Sequence, residues 1–349
     1  MRKSSKLSEV ARLAGVSPIT ASRAIRGTGY VSNDARERIM AAAAQLNYTP
    51  DMLARRMRGD KSKLIGVFLN NYGPVVLHEL VRHIGEQARK LDYDLLLFNA
   101  DRFDSPERMT TCGTLAKLCD GLLLVMPTAG DGFLELAERQ QLSCALVCFD
   151  AQQLALPTLV LENRAGARAA VEHLLGLGHR RIGFIAGSSR TGQSLEREHG
   201  YADALAAAGI PFDPALVLEG GFNQPGGFAA AGRLLDLAQP PSAIFAANDE
   251  MAFGAIDAIA SRGLKVPADV SVVGFDDIPT ASYVFPRLTS MRPPYEALAA
   301  RAVREVVDLI EGGVPAASRI PFATELVVRD STGPVSTPAS AAAAAPSGS

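Results

Sequence analysis

The sequence predicts an α/β protein with an N-terminal helix-turn-helix head, a hinge helix and a two-lobed body of parallel sheets. Three observations predict it. Residues 1–63 carry 13 Lys/Arg against 5 Asp/Glu, a net of +8; with −2 on the whole 349-residue chain, the remainder carries −10. Within the basic segment, apolar residues recur at helical spacing around a short glycine turn. From Lys63 onward, short apolar runs alternate with helical patterns, as in parallel strands joined by helices. A small basic segment on a large acidic body suits a polyanion partner for one part and a different task for the other.

Composition narrows the class. No apolar run reaches the roughly 18 residues that span a bilayer. The N-terminal MRKSSKLSEV has basic residues but no apolar run or small-residue cleavage site, so it does not read as a secretory signal. Four cysteines, Cys112, Cys119, Cys144 and Cys148, fit a reducing compartment. The expected location is the cytoplasm.

The head, residues 1–49, reads as three helices. Leu7, Val10, Leu13 and Ala14 share one face of a helix that stops at Gly15, with Val16 in the turn. Ser17 can cap the next helix and Pro18 suits its first position, where a missing N–H costs nothing. Ala21, Ala24 and Ile25 form its apolar stripe. Ile19, Thr20, Ser22, Arg23 and Arg26 are left pointing elsewhere. The first residues of such a helix, Ser17 to Thr20, would reach base edges in a major groove, and Arg23 and Arg26 bases or phosphates. Ser32 caps a third helix from Asn33 to about Leu46. Asp34 stands in its first turn, where the dipole favours an acid, and Ile39, Ala43 and Leu46 form its stripe. A plain helical bundle would show the same stripes. The charge and the following segment argue for nucleic acid.

That segment, residues 50–63, opens on Pro50 and closes near Gly59. Between them lie Leu53, Ala54, Arg55, Arg56, Met57 and Arg58. A helix this short is marginal alone in water. It suits ordering on DNA, with an apolar side chain wedged into a minor-groove step; a flexible linker is the plainer alternative.

The stretches SEVARLAGVSPITASRAIRG, VSNDARERIMAAAAQLNYTP and LARRMRGDKSKLIGV resemble the DNA-binding head and hinge helix of the lactose/galactose repressor family. The resemblance continues to PFATELVVRDST at 321–332. It implies that the second helix reads an operator through Pro18 and Ile19, with Thr20, Ser22 and Arg23 beside them. It puts Met57 where the family's hinge wedge is usually leucine, and Lys6 where a threonine usually starts the first helix, leaving Ser5 as the candidate cap. It also implies that the body is periplasmic-binding-protein-like, with two lobes and three chain crossings near 161–163, 290–293 and 322–324.

The body reads element by element. Candidate strands are Leu64–Leu69, Leu95–Phe98, Gly121–Val125, Ala145–Phe149 and Leu159–Leu161, then Ile182–Ala186, Leu216–Glu219, Ala243–Ala246 and Val270–Phe275. Helices fall at Leu77–Leu91, Gly166–Leu177 and Glu250–Arg262. These are too many strands for one comfortable sheet, hence two lobes; the crossings that the resemblance implies put lobe 1 at about 64–162 plus 291–322 and lobe 2 at about 163–290 plus 323–334. A cleft between lobes suits a small molecule, and a hinge permits closure.

Enzyme signatures fail on spacing. HELVRH at 78–83 has one residue too many for a zinc-binding HExxH. Cys144 and Cys148 lie about 13 Å apart along a strand, too far to share a metal. GGFNQPGG at 220–227 lacks the strand and helix context of a phosphate loop and reads as a loop. His179, after Gly178, can satisfy carbonyls at a helix end. No metal or cofactor is implied.

Polar residues at strand ends carry the binding chemistry, because ligands gather at the carboxyl ends of strands in open α/β sheets. Asn248 and Asp249 follow one strand, and Asp276 and Asp277 another. Asp249 and Asp277 read as cap or turn residues. Asn248, Asp276 and Arg197 match the family's effector-binding positions. Arginine donates and aspartate accepts, a pairing suited to hydroxyl-rich ligands. Asp150, Asn71 and Tyr72 are further candidates on lobe 1. Phe275 could stack on a pyranose ring or belong to the core, and so could Phe285. The resemblance implies a sugar or sugar acid. The tail, 335–349, is low in complexity and reads as disordered. It lacks leucine heptads, so a homodimer matched to a pseudo-palindromic operator is expected. The reading is an effector-controlled transcriptional regulator, a repressor by expectation. The alternatives are a solute-binding receptor or a sugar-processing enzyme with a DNA-binding head.

Overall fold

A computed structural model describes residues 6–48, 61–69, 73–99, 113–114, 116–127, 132–149, 156–188, 191–314 and 319–335. The chain divides into two compact units, Met1–Ser62 and Lys63–Ser349. The expected hinge helix, Ser5 and the 336–349 tail lie outside the described residues.

The first unit is α1 (Leu7–Ala14), α2 (Pro18–Arg26) and α3 (Asn33–Gln45). Gly15 and Gly27 end the first two in the left-handed conformation, φ +67° each, which glycine adopts without strain. The small core is Val10, Ala11, Ala14, Ala21, Ala24, Val31, Ile39 and Ala42. Leu13 departs from expectation: it is 45% exposed, because Val10, Ala11 and Ala14 define the buried stripe and Leu13 falls on its flank. At the start of α1, the Lys6 backbone N–H is satisfied by Glu9 reaching back at 3.0 Å.

The second unit holds two six-stranded sheets. Lobe 1 contains β1 (Leu64–Leu69), α4 (Val75–Lys90), β2 (Asp94–Asn99), β3 (Gly121–Val125), α5 (Gly132–Arg139), β4 (Cys144–Val147) and β5 (Thr158–Leu161). Lobe 2 contains α6 (Asn163–Gly176), β6 (Ile182–Ala186), α7 (Gly192–Ala207), β7 (Val217–Glu219), α8 (Gln224–Leu235), β8 (Ala243–Ala246), α9 (Asp249–Ser261), β9 (Ser271–Phe275) and β10 (Thr289–Arg292). The chain then returns to lobe 1 through α10 (Tyr295–Ile310) and β11 (Arg319–Phe322), and crosses again into β12 (Glu325–Val327). The sheet orders are β11-β5-β4-β3-β1-β2 and β12-β10-β9-β8-β6-β7. Neighbours run parallel except β12, which is antiparallel to β10. Strands buried on both faces need continuous apolar runs, and LIGVFL, GLLLV and IGFIA supply them. The sequence reading missed β10, β11 and β12, which are three or four residues long and carry Arg, Ser, Pro or Glu. It also read 220–227 as loop throughout. The loop stops at Asn223, whose side chain caps α8 by accepting from the Gly226 N–H at 2.9 Å.

Residues 331–333 are stitched to sheet 2. His179 Nδ1 meets Ser242 Oγ at 2.9 Å, while Nε2 meets the Gly333 carbonyl at 3.0 Å and Ser271 Oγ at 3.1 Å. The Gly333 carbonyl can only accept, so the neutral ring carries its proton on Nε2. His179 is thus a buried clasp rather than the helix-end partner expected from sequence. In the last turn of α6, His173 Nε2 lies 3.0 Å from Thr332 Oγ1. Burial lowers the pKa of both rings below the ordinary 6.5; the charge of His179 adds to this at His173, and the Gly333 carbonyl opposes it at His179. The unfolded rings therefore protonate first. Stability present above pH 6.5 falls as the pH drops from 6.5 toward the lowered folded values. The raised carboxyls of Asp276 and Asp249 act in the opposite direction over this range, so the histidine effect is read as a difference: from pH 7.5 to 5.5 the urea midpoint of the wild type is expected to fall relative to that of His179→Asn. Equal changes in both proteins would show that His179 does not carry the effect.

Candidate functional site

In the first unit, α2 is built to present its N-terminal turn. Ser17 Oγ accepts from the Thr20 N–H at 3.1 Å and lies 2.9 Å from Thr20 Oγ1. Pro18 occupies the first turn, and Ala21 and Ala24 are buried beneath. Ser17, Pro18, Ile19 and Arg23 are exposed, Ile19 by 66%; Thr20 and Ser22 are half-buried. A short, rigidly capped helix whose exposed face carries an aliphatic side chain, hydroxyls and a guanidinium suits a major groove: apolar contact to thymine methyls, polar contact to base edges and phosphates. Arg26 ends α2, and its side chain is outside what is described. Ala54, Arg55, Arg56 and Met57 lie outside the described residues. The sequence reading passed over Tyr30, which is 91% exposed just ahead of α3. An isolated exposed aromatic in a basic head was its available signal.

In the second unit, the polar residues converge at the carboxyl ends of the lobe 2 strands. Arg197 is buried on α7, between Asn163 at the start of α6 and the ends of β8 and β9. Its Nε donates to Asn163 Oδ1 at 3.0 Å, its Nη1 to the Ala247 carbonyl, and its Nη2 to Asp276 Oδ1 at 3.3 Å. The guanidinium lies 3.6 Å from the centroid of the Phe275 ring. Phe275 is fully buried, so its stacking partner here is Arg197.

Asp276 is 6% exposed and sits at φ +111°, a conformation L-residues rarely adopt. Burial pushes its carboxyl up to about 6, against the pull of Arg197. Asp249 is buried completely. It accepts from Ser290 Oγ and from the Ile278 N–H at 2.8 Å, and burial and the charge of Asp276 hold its pKa well above the carboxylate range. Asp277 is paired with Arg292 at 2.6 Å and Arg329 at 2.6 Å. Asp249 and Asp277 therefore tie the strand ends to neighbouring elements through their carboxylates, rather than capping a helix or closing a turn. Asn248 does cap work too: its Oδ1 accepts from the Met251 N–H at 3.0 Å and its Nδ2 donates to the Phe222 carbonyl at 3.3 Å.

Asn163 and Phe222 escaped the sequence reading. Phe222 is in the left-handed conformation, φ +60°, with its ring packed against Gly187, where any Cβ would collide with it. An aromatic between a Gly-Gly pair and a cap residue was the available signal. Asp150, Asn71 and Tyr72 lie outside the described residues. Phe285 is 80% exposed, away from any core. Among the described residues no set of three His, Cys, Asp or Glu could hold a metal, and no helix is long and apolar enough to cross a membrane. Burial pushes the Cys144 and Cys148 thiols up to about 12, the opposite of an activated nucleophile.

Comparison with known proteins gives the same division of labour. Residues 6–51 match the model for bacterial regulatory proteins of the lacI family, and residues 171–332 that for a periplasmic binding protein-like domain. The chain is 32% identical over 332 residues to the HTH-type transcriptional regulator DegA of Bacillus subtilis (strain 168), covering 94% of this chain and 98% of that one. The structure of a lac repressor dimer bound to operator and the anti-inducer ONPF aligns at TM-score 0.83 with 30% identity, covering 95% and 100% of the two chains. A complex of the transcriptional regulator CelR with cellobiose aligns at TM-score 0.71 with 30% identity, covering 94% and 99%.

Proposed function

Since the chain belongs to the lacI family of bacterial regulatory proteins, we propose that it is a cytoplasmic homodimeric repressor whose grip on its operator is set by a hydroxyl-rich carbohydrate between the lobes. It is a DNA-binding transcriptional regulator controlled by a small effector, and not an enzyme. The finer points are our reading. Ser17, Pro18, Ile19, Thr20, Ser22, Arg23 and Arg26 read the operator. Ala54–Met57 form the hinge element that meets the minor groove. Arg197, Asn248 and Asp276 engage the effector, with Asp150, Asn71 and Tyr72 closing over it from lobe 1. Phe275 acts through Arg197, beneath which it is buried. The domain limits 1–49, 50–63 and 64–334 follow this division.

The observation that carries the carbohydrate reading is the Arg197–Asp276 pair, one donor fork and one carboxylate buried side by side at the strand ends. Vicinal hydroxyls can donate to the carboxylate and accept from the guanidinium at once. The relative bound to cellobiose supports this class. The lac repressor relative, which is a dimer, supports the homodimer, and the exposed Tyr283 (76%) and Phe285 (80%) on lobe 2 are the candidate surface for it. Control works by linkage: the effector prefers one lobe arrangement, DNA prefers one, and the coupling is reciprocal, about 1–3 kcal/mol.

The test is operator binding by the purified protein, on DNA from upstream of its own gene, against a panel of sugars and sugar acids. One compound is expected to shift the affinity at least tenfold, about 1.4 kcal/mol; the sign separates inducer from corepressor. Specific DNA binding that no carbohydrate moves would overturn the cleft chemistry and keep the head.

A further inference from the structure

Lys63, just ahead of β1, sits in the left-handed backbone region at φ +58°. There the Cβ of an L-residue crowds the following carbonyl oxygen, and a lysine stays only where its surroundings hold it. Its backbone is held on both sides. The Lys63 N–H donates to Asp120 Oδ2 at 2.8 Å, and the Lys63 carbonyl accepts from the Asp94 N–H at 2.9 Å. The ammonium lies 4.5 Å from the centroid of the buried Tyr93 ring and 3.9 Å from Asp92 Oδ2.

These ties differ in weight. Lys63 and Asp92 are both exposed, so their ion pair adds little in water. A carboxylate that accepts from a backbone N–H makes a charge-assisted bond, and it fixes backbone rather than a mobile side chain. Asp120 is half-buried and is fixed in turn, its own N–H donating to the Leu64 carbonyl at 2.8 Å. It therefore brackets residues 63 and 64, accepting ahead of them and donating behind. Asp120 precedes β3 and Asp94 opens β2, the two strands that flank β1. The grip thus lies at the amino ends of three adjacent strands. It is also where the chain passes from the first compact unit, which ends at Ser62, into the second. A left-handed residue turns the chain sharply, so holding Lys63 fixes the line along which the preceding residues approach the sheet.

We propose that Asp120 is a positioning residue for operator binding: by holding Lys63 in its left-handed turn, it fixes how the chain from the DNA-reading head enters lobe 1, and with that the separation of operator half-sites that the protein accepts. A dimer presents two heads, and the distance between them is read as half-site spacing. The proposal rests on the homodimer put forward above; sedimentation of the unbound protein checks that homodimer separately.

The test uses full-length protein and three duplexes: the footprinted operator from upstream of its own gene, and the same operator with one base pair added or removed at its centre. Wild type is expected to bind both altered duplexes about tenfold more weakly or worse. In Asp120→Ala that penalty is expected to shrink below about threefold, while the penalty for base changes within a half-site stays as in wild type. Asp120→Asn keeps an acceptor and is expected to retain the spacing penalty. Lys63→Gly takes the left-handed region without strain and loses only the ammonium; it is expected to behave as wild type. Lys63→Val, β-branched and poorly suited to positive φ, is expected to behave as Asp120→Ala. It changes an exposed residue, so it serves if the Asp120 variant folds poorly. A wild-type spacing penalty in either variant sinks the assignment. So does equal weakening on all three duplexes, the mark of a merely structural residue. Loss of the spacing penalty in Lys63→Gly sinks it too, because the role would then belong to the ammonium. Any of these results in a protein that sediments as a dimer overturns the role of Asp120 and leaves the homodimer standing.

Discussion

Asp276→Asn leaves operator binding intact and raises the effector concentration needed for response by 30- to 150-fold. Asparagine is the right substitution because it keeps the volume and, unlike most residues, tolerates the left-handed region that Asp276 approaches at φ +111°. It removes one acceptor and the charge that faces Arg197. Losing a charge-assisted hydrogen bond to a bound hydroxyl while leaving a buried guanidinium short of its partner costs about 2–3 kcal/mol, which sets the fold-change. Alanine would also strip the packing around Arg197 and confuse unfolding with lost recognition. The wild-type site carries its own control. Burial holds the Asp276 carboxyl near 6, so its charge is present above that pH and lost below it. Effector response is therefore expected to weaken as the pH falls through about 6, and the asparagine variant to be flat over the same range. Titration of operator release at several pH values checks both; a variant with wild-type response would remove Asp276 from the pocket.

Gly200→Ala is expected to lower stability by about 3 kcal/mol, the upper part of the range for overpacking a filled site. Gly200 faces α6 from α7, and a Cβ there would run into the Arg164 carbonyl oxygen, with the Ala167 Cβ at 2.8 Å and the Arg168 N at 2.9 Å. Backbone cannot turn aside as a side chain can, so the helices must part. Arg197 sits one turn before Gly200 on α7, and its Nε bond runs to Asn163 on α6. Separating the helices stretches that bond, so the loss of stability comes with a loss of effector affinity. Gly176→Ala, at the end of α6, meets nothing within 4 Å and is the matched control, expected to be neutral or slightly stabilising. Thermal unfolding of the two variants, alongside effector titration, separates the outcomes. Equal melting points would mean that the α6–α7 contact yields more easily than its geometry implies.

The head and the inner strands were legible because each is specified locally. Ser17 and Pro18 start α2 by capping chemistry alone, and runs such as LIGVFL or IGFIA can only be buried strands. The outer strands β11 and β12 take their conformation from partners earlier in the chain, as when Arg319–Phe322 pairs with Thr158–Leu161, and nothing in RIPF announces it. The site divides in the same way. Asp276 follows a readable strand, but its meeting with Arg197 spans 79 residues and was visible only through family resemblance. Asn163 looks like an ordinary first-turn helix residue; its task is defined by the Arg197 side chain that another helix brings to it.

The last strands have a consequence for how the protein is made. Both sheets receive an outer strand from residues 319–327, and the clasp on His179 waits for Gly333. A chain emerging from the ribosome can complete the three-helix head soon after residue 48, since every core residue of that head precedes it. Neither lobe can finish its sheet until nearly the whole chain has been translated. During synthesis the DNA-reading part therefore exists before the part that controls it. Quality control has a simple criterion here: a chain stopped before β11 would carry a finished head on two open-edged lobes, and open edges are what aggregation and proteolysis act on.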